Sequence, residues 1–149
     1  NNRAKLAWTE KAQHRFKERV REITSRNRGH NVQTVIGELD QYIRGWLNYY
    51  KLSSTYSEVL ALSVWVRRRV RLYYWKQWKQ PRTRRRHLLA LGADPKEVYR
   101  ATRSRKGYWR MSQNEIVRFA LNNRWLEEQG VPDMNAIWRV LYYGPDARV

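Results

Sequence analysis

Residues 57–79 read SEVLALSVWVRRRVRLYYWKQWK, and the pattern in them decides the fold class. Val59, Leu62, Val66, Val70 and Tyr73 recur at helical spacing and make one apolar stripe. Roughly opposite lie Leu60, Val64, Trp75 and Trp78, mixed with Arg67, Arg68 and Arg71. The spacing therefore predicts a long helix with two apolar aspects, the second strongly basic. Pro81 is the first proline in the chain. It has no N–H to donate and disfavours helical backbone just before it, so the helix ends there. Arg82, Thr83, Arg84, Arg85 and Arg86 then leave from a bend.

No Asp or Glu lies between Glu58 and Asp94, while Arg67, Arg68, Arg69, Arg71, Lys76, Lys79, Arg82, Arg84, Arg85 and Arg86 all do. Like charges on one helix repel by a few tenths of a kcal/mol per pair. A polyanion removes that repulsion and releases counterions, so these cations read as a nucleic-acid surface. A merely solvated face would mix in glutamates, and this one does not. Replacing Arg67 or Arg68 is accordingly expected to weaken binding and leave folding alone. Trp75 and Trp78 have two readings. Burial against a neighbouring helix is the commoner fate of a large aromatic, and stacking on unpaired bases is the alternative. For Arg82 to Arg86 the alternatives are a nucleic-acid clamp and a solvated linker.

The whole chain fits this start. It has 149 residues with a net charge of +18, yet 42% are hydrophobic and eight are Trp. That is a folded, very basic domain and not a disordered tail. Its charge points first to nucleic acid and second to an anionic membrane surface. Membrane binding is disfavoured because the apolar positions of the basic helix run round two faces, and no apolar run is long enough to span a bilayer. Cysteine is absent, which excludes disulfides and thiolate metal sites and fits a reducing cytoplasm. His14, His30 and His87 are scattered, without carboxylates at metal-binding spacing. There is no phosphate-binding glycine loop, nucleophile elbow or deaminase motif. The residues indicate binding without catalysis, metal or cofactor. The opening stretch lacks an initiator Met and reads as cut from a longer protein.

In order, a first helix is expected from about Thr9 to Ser25, with Ala12, Phe16, Val20 and Ile23 on one face. Gly29 follows as a stop or turn. Asn31 caps a second helix whose apolar face includes Val35, Ile36, Leu39, Ile43, Trp46 and Leu47. Gly45 inside it suggests a close backbone approach. Beyond Pro81 the elements shorten: a helix from Arg84 to Leu91, one opened by Asp94-Pro95, one from Ile116 to Gln129 capped at Ser112, and a last one capped by Asp133. The fold class is all-α: three long helices forming a bundle, then a cluster of shorter helices. A division into residues 1–80 and 81–149 follows from that change of style.

Three stretches carry a resemblance: Arg44-Gly45-Trp46-Leu47-Asn48-Tyr49-Tyr50, Trp65 to Arg71, and Trp75 to Lys79 with Arg82-Thr83-Arg84 and Leu88 to Gly92 after it. Together they resemble the maturase-specific region, or thumb, of group II intron-encoded reverse transcriptases. Gly107-Tyr108-Trp109 and Ala120 to Asn123 resemble the DNA-binding extension of bacterial members. The resemblance implies a helical thumb that grips group II intron RNA and a template–primer duplex, with an RNA–DNA or DNA target on the extension. It implies a polymerase half of the parent protein as a further partner. Arg44, Trp46, Asn48, Arg67, Arg68, Arg69, Lys76, Lys79, Arg82 and Arg84 sit at matching motif positions and take the RNA-contact role from it. Ser63 stands where the pattern has an acidic residue. The fingers, the palm and the metal-binding aspartate motif do not occur in this sequence, so it would not polymerise alone. The other class of reading is a basic helical module that docks on an acidic protein.

Overall fold

Side-chain caps set most of the helix starts. Asn31 Oδ1 accepts from the Thr34 N–H at 2.9 Å and opens α2 (Val32–Tyr50). Thr55 and Glu58 form a reciprocal capping box, which satisfies two N–H groups that a helix end otherwise strands. It opens α3 (Tyr56–Gln77). Pro81 is the first residue of α4 (Pro81–Ala90), a position where its missing N–H costs nothing. The computed structural model describes residues 2–25 and 31–145, with side chains from Glu10 onward. The remaining elements are α1 (Asn2–Ile23), α5 (Pro95–Arg103), α6 (Tyr108–Met111), α7 (Glu115–Ala120), α8 (Asn123–Glu128) and α9 (Met134–Tyr143). The fold is all-α, and no strand occurs among the described residues.

Several boundaries differ from expectation for local reasons. The α1 backbone is already helical at Asn2, so Thr9 lies inside the helix and does not start it. Gly29 lies outside the described residues. The single helix expected from Ile116 to Gln129 is two. Asn122 Oδ1 accepts from the Trp125 N–H at 2.9 Å and restarts the chain as α8, because a short polar side chain competes with helical backbone pairing. Asn114, not Ser112, caps α7. Gly92 and Gly130 have φ of +88° and +104° and end α4 and α8 in a backbone region that favours glycine. A Cβ at Gly130 would also meet Ile36 Cγ2 at 3.2 Å. A Cβ at Gly45 would meet nothing within 4 Å, so the close approach expected there does not occur.

One hydrophobic core runs through the molecule, from Phe16 and Val20 in α1 to Met134 and Trp138 in α9. The expected stripe Val59, Leu62, Val66, Val70 and Tyr73 is buried throughout. Helices α1, α2, α6 and α9 all pack on α3. Its two halves differ. Leu60 and Val64 remain exposed, whereas all six residues from Val70 to Trp75 are buried. The bend expected at 80/81 is the turn between α3 and α4, and the core continues across it through Trp78 and Leu88.

Candidate nucleic-acid interface

The basic run has two fates. Five arginines turn inward, each to the C-terminal end of a helix. Arg68 donates to the Trp109 carbonyl at 2.8 Å and to Ser112 Oγ at 3.1 Å, at the end of α6. Arg71 donates to the Leu121 carbonyl at 2.7 Å and to Asn123 Oδ1 at 3.0 Å, at the end of α7. Arg84 donates through two nitrogens to the Trp75 carbonyl at 2.7 and 3.0 Å, in the last turn of α3. Arg85 reaches Thr102 Oγ1 at 3.0 Å in the last turn of α5. Arg69 reaches Thr24 Oγ1 at 2.9 and 3.1 Å beyond α1. Both threonine hydroxyls donate to the carbonyl four residues back, which leaves their lone pairs for the guanidinium. Helix C-termini carry unpaired carbonyls and the negative end of the helix dipole. The charge of these arginines is therefore stabilised by hydrogen bonds at helix ends in place of carboxylates.

Arg71 is the deepest, 8% exposed. Burial, helped by the Arg67 and Arg118 charges, pushes its pKa down to about 10, so it remains charged at neutral pH. Burial also lowers Arg69, Arg68 and Arg84. Arg67 lies partly buried and donates to Ser63 Oγ at 2.8 Å, so this serine serves its own helix. The expectation that an Arg68 replacement leaves folding alone is corrected: its guanidinium joins α3 to α6.

The other cations of the run face solvent. Lys79, Arg82 and Arg86 are exposed, and their side chains have no hydrogen bond or ion pair among the described residues. Lys76 is partly buried with its ammonium 5.2 Å from the Tyr108 ring. From the first motif stretch, Arg44 is exposed and paired with Asp40 at 2.9 Å, and Asn48 is exposed. Trp46 is buried against Phe16 at 4.8 Å between ring centroids, so it supports this face and does not line it. Trp75 and Trp78, 2% and 7% exposed, have no open ring face. Trp78 stacks on His87 at 4.3 Å, and Arg84 lies over Trp75 at 4.5 Å. Base stacking on either is corrected to burial, because α4 closes over the end of α3.

Sequence reasoning missed the aromatics that are open. Tyr99, Tyr108, Trp109 and Phe119 are all exposed. Tyr99 and Phe119 lie on helices that were expected, but nothing in their periodicity marked them as open, and only the Gly107-Tyr108-Trp109 motif gave a signal. Phe119 edges an open basin of about 570 Å³ with Arg118 and Arg124. Among the described residues no cluster of His, Cys, Asp or Glu could hold a metal, and no helix is long and apolar enough to cross a membrane.

Fold and charge together define a strongly basic all-helical domain whose cations close its own helix ends. The chain belongs to the group II intron, maturase-specific domain family, whose model matches residues 13–92, more than half its length. The match takes in α1 from Gln13 through α4 and stops at the left-handed Gly92. Such a domain is a non-catalytic maturase module of a reverse transcriptase, with a role in group II intron splicing and intron RNA as its partner. No curated protein matches the chain.

Proposed function

We propose that this domain binds intron RNA by phosphate contacts from the cations that folding leaves in solvent, led by Lys79, Arg82 and Arg86. One observation carries the reading: within a run free of carboxylates, these three are exposed and unpaired among the described residues, at the turn between α3 and α4. Arg44 and Asn48, exposed on α2, would add contacts of their own. Phosphate contacts supply affinity and fix register, and a rigid helical body fixes their spacing. The same surface would grip a template–primer duplex, and residues 81–149 would add contacts to a DNA target. The polymerase half of a parent protein would complete the assembly.

A salt titration of binding to structured RNA tests this. With about six phosphates contacted, log affinity falls against log salt with a slope of roughly −4 to −5. A slope near zero overturns the reading. Anionic vesicles, run in parallel, are expected not to compete.

A further inference from the structure

Tyr108 and Trp109 are neighbours on α6, and each carries cations on its ring. The Arg68 guanidinium lies 3.6 Å from the Trp109 centroid. Lys76 and Arg84 lie 5.2 and 5.8 Å from that of Tyr108. Yet the two residues remain 36% and 38% exposed, in a protein that buries Trp75 and Trp78 a few residues along α3. Arg68 is itself held by the Trp109 carbonyl and Ser112. A ring backed by a fixed guanidinium loses little further freedom when something lands on its open surface. The surroundings say what that is. No acid lies between Glu97 and Glu115, and Arg103, Arg105, Lys106 and Arg110 are exposed around the pair. A flat, electron-rich ring joined to phosphate satisfies both the aromatic surface and the charge.

We propose that Tyr108 and Trp109 form a stacking platform for unpaired bases of RNA, held in place by Arg68, Lys76 and Arg84 of α3 and α4. This rests on the RNA-binding reading above and adds what kind of RNA is taken: single-stranded loops or bulges beside a duplex. Stacking is tolerant of base identity, because every base has a π face. The platform therefore selects unpaired over paired nucleotides and not one sequence over another.

The test compares three RNAs of equal charge: a hairpin with an unpaired loop, the same hairpin with abasic loop positions, and a blunt duplex. The full chain is expected to bind the first about tenfold or more tighter than the second. Trp109→Leu with Tyr108→Leu is expected to erase that preference and leave blunt-duplex affinity unchanged. Phe at both positions is expected to retain the preference. A wild-type chain indifferent to abasic substitution overturns the platform, whether or not the leucine variant folds. So does a preference that survives in a folded leucine variant, or an equal loss on hairpin and duplex. Failure to bind any of the three would instead overturn the phosphate reading, and the platform with it.

Discussion

Arg71 and Arg82 belong to one run of cations, and the fold treats them oppositely. Arg71 is buried, with its guanidinium on the Leu121 carbonyl and the Asn123 amide. Arg82 is exposed on α4. The first set, with Arg68, Arg69, Arg84 and Arg85, ties helix ends together; the second, with Lys79 and Arg86, is left for a ligand. A dense basic run is thus not one surface. Helix C-termini stand in for the missing carboxylates, so in a chain of net charge +18 these five arginines pack inward without acidic partners.

The comparison breaks first at Arg71. Arg71→Leu keeps an apolar stem but strands a buried carbonyl, and it is expected to lower stability by about 2–4 kcal/mol. Urea unfolding measures this, and a loss under about 0.5 kcal/mol would place Arg71 with the solvent-facing set. Arg71→Lys should recover only part, since an ammonium does not reproduce the guanidinium fork.

The opposite set is probed by Lys79→Gln, Arg82→Gln and Arg86→Gln together. Stability should change by less than about 0.5 kcal/mol. RNA affinity at moderate salt should fall more than about tenfold, and the salt slope should flatten by about 2 to 3. Unchanged affinity with unchanged folding would leave the α3–α4 turn a solvated linker.

The smallest effect concerns the lid over Trp78. Burial, then the neighbouring Arg86 charge, lowers the pKa of His87 from its ordinary value, so folding favours the neutral ring stacked on Trp78. A base whose pKa is depressed on folding contributes stability that is complete above its unfolded value, about 6.5, and is lost as pH falls through the folded value. The melting temperature should therefore decline modestly below about pH 6.5, and His87→Phe should remove that part of the decline. A wild-type and variant decline of equal size would exclude His87 as its source.

Helix identity and most starts were legible because they are local. Asn31, Asp94 and Asp133 cap the helices expected of them. The one long helix that failed, from Ile116, failed at Asn122, where a cap inside an apolar pattern outcompeted propagation. Site residues were less legible. Arg68 and Arg82 look alike in sequence, and so do Trp75 and Trp109, yet in each pair one is sequestered and one available.

By itself, the sequence determined an all-helical, highly basic domain with its stripe from Val59 to Tyr73 inward, since periodicity and net charge do not depend on distant residues. Which arginines would be free was decided only by tertiary structure. A guanidinium is hydrogen-bonded by whatever helix end is brought within about 3 Å of it. For Arg68 and Arg71 those ends come from residues more than forty positions away, which no local pattern records.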